Sequence, residues 1–123
     1  MNPICTIFVS VLAAGLILST APVFARSPKA KTIHGAIAVN RDTKVAGYAY
    51  NFKTALEAKR EALKQCGERK CEVLASFKNG CAVVADDRAK LTAMSGATRD
   101  EAETKVMRKC GKDCTVLAWA CTR

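Results

Sequence analysis

Apolar residues recur every third or fourth position in two stretches of this chain, and six shorter stretches are alternating or continuously apolar. Ala55, Ala58, Ala62 and Cys66 fall on one helical face, as do Ala102, Val106 and Cys110 with Met107 alongside. Both predicted helices carry start and stop signals. Thr54 with Glu57, and Thr98 with Glu101, have the spacing of capping boxes, in which the hydroxyl takes the third backbone N–H and the carboxylate reaches back to the cap. Gly67 and Gly111 follow as left-handed stops. The opposite faces carry the pairs Glu57/Arg60, Glu61/Lys64 and Glu101/Lys105, which read as solvated surface.

Strand-like runs flank each helix. Residues 35–39 and 45–50 precede the first and 72–77 follow it; residues 81–85 and 90–95 precede the second and 115–121 close the chain. Arg41-Asp42-Thr43-Lys44 and Asp86-Asp87-Arg88 join the paired runs as hairpin turns. The order is β-β-α-β, spoken twice with a shift of about 44 residues: Thr54 through Cys66-Gly67 and Cys71 to Val73-Leu74-Ala75 matches Thr98 through Cys110-Gly111 and Cys114 to Val116-Leu117-Ala118. The expected fold class is α+β, two β-β-α-β repeats related by a pseudo-twofold in a disulfide-stapled sheet with two helices. Alanine-rich helix faces let helix and sheet approach closely.

Residues 1–25 carry no charge, residues 7–18 are almost wholly apolar, and the stretch ends Ala21-Pro22-Val23-Phe24-Ala25. A short apolar run closed by such a site reads as a secretory signal peptide cleaved after Ala25, against the rival reading of an uncleaved anchor. Residues 26–33 form a flexible basic leader, and 34–123 a single domain whose repeats are 34–80 and 81–123. The expected location is the periplasm or the extracellular space.

Cleavage discards Cys5 and leaves Cys66, Cys71, Cys81, Cys110, Cys114 and Cys121. An even number in a short exported chain reads as a disulfide framework, and a core this rich in alanine needs one. Six cysteines allow fifteen pairings. Cys66 ends a helix and Cys71 starts the returning strand; Cys110 and Cys114 repeat the device, within disulfide reach. Cys81 and Cys121 remain, expected to meet across the twofold. The rival reading is a metal held by the thiolates of Cys-x4-Cys and Cys-x3-Cys, which an oxidising compartment and the lack of a histidine partner disfavour. No metal and no cofactor are expected.

Catalytic chemistry is not visible. His34 is the single histidine and reads as an ordinary residue at the approach to the first strand. Ser76 and Ser95 have no nucleophile-elbow context, Asp86 and Asp87 suit a turn, and no glycine-rich phosphate loop occurs. The formal charge of +9 lies entirely beyond residue 25 and clusters at Arg69-Lys70, Arg108-Lys109-Lys112 and Arg26-Lys29-Lys31. Cations beside helix C-termini are favoured by the dipole, which explains much of the first two clusters; they also suit an acidic protein or an anionic surface. Nucleic-acid binding is disfavoured by the scarcity of aromatics. Tyr48-Ala49-Tyr50 places both tyrosines on one strand face, read first as core, with an exposed binding patch as the alternative.

Gly35-Ala36-Ile37-Ala38, Gly47-Tyr48-Ala49-Tyr50-Asn51, Phe77-Lys78-Asn79-Gly80-Cys81 and Trp119-Ala120-Cys121, with the cysteine spacing between them, make the chain resemble the domain-of-unknown-function 4189 family of small exported bacterial proteins. The likeness departs at Leu91-Thr92-Ala93-Met94-Ser95-Gly96, where that family usually has an aromatic, glycine-rich strand. The resemblance implies export and fold but no shared activity; some members look like secreted effectors. The functional expectation is an exported, monomeric, non-enzymatic protein-binding module, such as an inhibitor or immunity protein for an envelope-active toxin or hydrolase, or a secreted effector. Its candidate contacts with an acidic protein partner are Arg69, Lys70, Arg108, Lys109 and Lys112, joined by Tyr48, Tyr50 and Trp119 if those rings are exposed. The alternatives are a basic binder of anionic membrane, cell-wall polymer or nucleic acid, and an enzyme of unrecognised type.

Overall fold

Eight elements follow in the order β1 (His34–Val39), β2 (Ala46–Phe52), α1 (Ala55–Cys66), β3 (Glu72–Lys78), β4 (Cys81–Asp86), β5 (Leu91–Gly96), α2 (Arg99–Cys110) and β6 (Thr115–Cys121) in the computed structural model. It describes Gly15 and residues 31–123; the expected signal peptide and leader residues 26–30 lie outside the described residues. The strands form two antiparallel sheets of three, ordered β2-β1-β3 and β5-β4-β6, where the sequence reading expected one. The reason is visible in β1 and β4. Their residues 35–39 and 81–85 are buried without interruption, so both faces of each central strand are covered.

One face of each sheet packs on the other sheet. Ile37, Val39 and Phe77 from the first meet Ala82, Val84, Ala118 and Ala120 from the second. The outer faces take the helices: Ala36, Ala38 and Ala49 lie under Ala58, Ala62 and Cys66 of α1, while Val83 and Ala85 lie under Ala102, Val106 and Cys110 of α2. The layers therefore run helix, sheet, sheet, helix. Larger side chains fill the space between the sheets, and small ones let α1 come close.

Gly47 marks that close approach. A Cβ there would run into the Ala62 carbonyl and the backbone of Cys66. Backbone atoms of a docked helix cannot step aside as a flexible side chain can. Gly47→Ala is expected to cost about 2 kcal/mol by overpacking, read as a lowered midpoint in urea unfolding; an unchanged midpoint would mean that α1 shifts freely.

Thr54 Oγ1 accepts the Glu57 N–H at 3.2 Å and Thr98 Oγ1 accepts the Glu101 N–H at 3.1 Å. The expected return bond differs. Glu101 accepts from the Ala97 N–H, one residue before the cap, and no bond from Glu57 to Thr54 forms among the described residues. Gly67 is left-handed (φ 71°, ψ 2°), whereas Gly111 (φ 109°, ψ −168°) lies outside that region, in backbone space essentially open only to glycine.

The disulfides are Cys66–Cys71, Cys110–Cys114 and Cys81–Cys121. The third pair forms for a different reason from the one expected. Cys81 and Cys121 face each other directly in the β4–β6 ladder, within one sheet, and do not link the two halves. The halves are joined by the short Asn79-Gly80 turn. Asn79 N–H donates to the Ile33 carbonyl, and Gly80 exchanges bonds with Thr122. Disulfides of this kind are compatible with an extracytoplasmic location. No helix among the described residues is long and apolar enough to cross a membrane.

Two exposed carboxylates have lowered pKa values. The Lys105 ammonium and the Ala97 N–H hold Glu101 below its ordinary 4.5. Backbone N–H groups of Lys90 and Ala89 hold Asp87 below 3.8. A depressed folded pKa stabilises above the unfolded value and loses that contribution as pH falls through the folded one. Thermal stability is thus expected to be insensitive to these groups from pH 7 to about 5 and to decline below about pH 4.5. Glu101→Gln should weaken part of that decline; an identical acid limb in the variant would contradict the assignment.

Candidate functional site

β2 alternates small and aromatic residues, and its small side is the buried one. Gly47 and Ala49 face α1, because only small residues fit beneath that helix. Tyr48 and Tyr50 point to the other face, on the side of Ile37, but overhang the edge of the sheet–sheet core. They are 37% and 43% exposed. The reading of this face as core is therefore corrected: both rings are exposed. Trp119 on β6 is 43% exposed.

β2 and β6 are edge strands of different sheets and adjoin each other. Between them Tyr48, Tyr50 and Trp119 line an open cleft of about 350 Å³, with Ala120, Cys121 and Arg123 completing it. Two guanidinium groups hold the rings. Arg99 lies 4.0 Å from the centre of Trp119, and Arg123 lies 5.9 Å from the centre of Tyr50. Arg99 also pairs with Glu103 at 3.6 Å, whereas Arg123 has no ion pair among the described residues. Asn51 Oδ1 accepts the Arg123 main-chain N–H at 3.0 Å, which fixes the end of β6 against β2.

The basic turns are elsewhere. Arg69 and Lys70 sit between α1 and β3; Arg108 and Lys109 lie in the last turn of α2 and Lys112 between α2 and β6, at the end of β6 opposite Trp119. The first turn is interleaved with acids. Lys70 pairs with Asp42 at 3.2 Å, Arg41 pairs with Glu72, and Glu68 accepts from Asn40 and Thr43. The second is exposed and forms no ion pair among the described residues. The eight expected contact residues thus divide: the three aromatics converge, and the five cations stay apart from them. Sequence reasoning missed Arg99 and Arg123. Arg123 follows the last strand and Arg99 opens α2, so neither joins a charge cluster or a periodic face.

Other chemistry does not assemble at the described residues. His34 is the first residue of β1, opposite Phe52 and Lys78. Asp87 comes close to Cys110 and Cys114, but those sulfurs are joined to each other and offer no thiolate. The two short cysteine pairs lie under different helices, so four sulfurs do not converge. Ser76 and Ser95 border a polar groove with Lys78, Glu101 and Lys105, where Lys105 is engaged by Glu101 at 2.8 Å. No base bonds to either serine hydroxyl among the described residues.

The family profile described as Domain of unknown function (DUF4189) matches residues 34–121. Uncharacterised proteins of Mycobacterium tuberculosis (Rv1813c) and Mycobacterium bovis (Mb1843c) are 31% identical over 88 residues, which cover 72% of this chain and 59% of theirs. The chain therefore spans less than two thirds of the curated relatives it matches. The NMR structure of Rv1813c superposes with a TM-score of 0.58 at 25% identity, covering 73% of this chain and 76% of that one.

Proposed function

Because the chain belongs to the DUF4189 family across residues 34–121, a family named for its unknown function, we propose on physical grounds that it is an exported, non-enzymatic protein-binding module. The uncharged, apolar residues 1–25 act as its signal peptide and place it in the periplasm or outside the cell. Its two halves are β-β-α-β units related by a pseudo-twofold. Supporting this, the strand orders β2-β1-β3 and β5-β4-β6 correspond, and both inner ladders shift register near the same place, at Ile37/Ala38 and Val84/Ala85.

One observation carries the functional reading: three large aromatic rings stand exposed together in a cleft on a disulfide-stapled scaffold. Exposed aromatics flanked by arginine are the residue types that dominate protein interfaces, and a rigid surface loses little entropy on binding. An inhibitor or immunity role against an envelope hydrolase or toxin, or a secreted effector role, would use the same surface. Oxidised protein beginning at Arg26 is expected to retain one stoichiometric partner from periplasm or culture supernatant. Trp119→Ala should lose it without a change in melting temperature, and Arg108→Ala should keep it. Retention unaffected by Trp119→Ala, or no partner together with turnover on a hydrolase panel, would overturn the reading.

A further inference from the structure

We propose that the cleft between β2 and β6 takes an extended acidic segment of a partner protein, placing an apolar side chain among Tyr48, Tyr50 and Trp119 and a carboxylate on Arg123. This rests on the protein-binding reading above and names the chemistry of the partner. Three features of the cleft select that occupant.

The first is the backbone. Among the described residues β2 is bonded only to β1, and β6 only to β4, so each presents one edge of N–H and C=O groups free of another described strand. An extended segment is the ligand that can add main-chain bonds to such an edge. The second is the lining. The rings of Tyr48, Tyr50 and Trp119 together with Ala120 form an apolar wall that an aliphatic or aromatic side chain fills. The third is charge. Arg99 is already balanced by Glu103, which leaves the Arg123 guanidinium as the cation at the cleft without an ion pair among the described residues. The Arg123 main chain is held by Asn51 while its side chain reaches over Tyr50, so the guanidinium faces the cleft. Arginine at an apolar rim favours a carboxylate that forks onto it.

The same count argues against a polyanion. A nucleic acid or an acidic polysaccharide is held by a row of cations along its backbone. Here Arg108, Lys109 and Lys112 lie at the far end of β6, and Lys70 is paired with Asp42. One free guanidinium beside three rings fits a protein side-chain pattern better.

Trp119 is the single tryptophan of the chain, so its emission reports on the cleft directly. The oxidised mature protein is screened against a random twelve-residue peptide display library, and enriched peptides are synthesised and titrated. Enrichment of Asp and Glu next to aliphatic or aromatic residues is expected, with a change in Trp119 emission on binding. Affinity should fall at least about tenfold with Arg123→Gln, with Tyr50→Ala, and with Glu→Gln in the peptide. Leu63→Ala, on the exposed face of α1, should leave it unchanged. Both tyrosine and arginine are exposed, so melting temperatures of the variants are expected to match the parent and confirm folding. Cleft-dependent peptides without acidic bias would overturn this inference and leave the protein-binding reading standing. Binding indifferent to Tyr50→Ala and Trp119→Ala would overturn both. Polyuridylate that shifts Trp119 emission with a steep salt dependence, in place of any peptide, would assign the cleft to a polyanion.

Discussion

Replacing Cys81 and Cys121 together by alanine is expected to lower the unfolding free energy by about 4 kcal/mol. This bridge closes a loop with a sequence separation of 40, against 5 and 4 for the other two. In the chain-entropy account, cross-linking restricts the unfolded ensemble more as the loop lengthens, and each short staple comes to about 2 kcal/mol. The long bridge also ties the first residue of β4 to the last of β6, so it closes the central ladder of the second sheet. In the first sheet the first residue of β1 and the last of β3, His34 and Lys78, are paired in the ladder without a covalent link. For a domain of this size the loss corresponds to a fall in melting temperature on the order of 20–30 °C. Guanidinium unfolding of the Cys81/Cys121 and Cys66/Cys71 double-alanine variants compares the two. If the short staple proves the costlier, the loop account fails and local geometry governs these bridges.

Ile37→Ala is expected to cost about 4 kcal/mol, near the upper part of the range for buried large-to-small changes. Ile37 is fully buried and sits between the sheets, where Val39, Phe77 and Val84 share its cluster. A cavity there is enclosed by two sheets that are themselves held by helices and disulfides, so little collapse can fill it. Leu56→Ala is the contrast. Leu56 is 57% exposed on α1, and its removal should change stability by no more than about 0.5 kcal/mol. Urea unfolding of both variants checks the pair. Equal effects would place the core somewhere other than between the sheets.

Much of the secondary structure was legible because local signals agreed with one another. Threonine caps, the apolar faces of both helices and the glycine stops mark α1 and α2 at residues 55–66 and 99–110, and the strand runs fall within a residue or two of the observed strands. The number of sheets was not legible. His34–Val39 places Ala36 and Ala38 on one face and Ile37 and Val39 on the other, a pattern that shows two covered faces but not what covers each. The Cys81–Cys121 pair emerged by elimination, while its actual cause, direct opposition of β4 and β6, depends on strand pairing that no local signal encodes.

The aromatic face of β2 was misread first for a physical reason. Size usually marks the core side of a strand, but beneath α1 the core side must be small. Gly47 and Ala49 are therefore inside, and the larger Tyr48 and Tyr50 are outside. Trp119 comes from another sheet some 70 residues further along, and only the packing of β2 beside β6 brings the rings together. The basic turns were conspicuous because charges cluster in sequence, and in one of them Lys70 proves to be paired with Asp42.

The cleft as a protein-binding surface is tested most directly by site-specific photo-crosslinking in the native host. A photoreactive phenylalanine analogue placed at Tyr50 should yield one protein adduct of defined mass, diminished by Trp119→Ala in the same chain. The same probe at Lys112 or Leu63 should yield none. No adduct from position 50, or an adduct formed equally from position 112, would contradict the account.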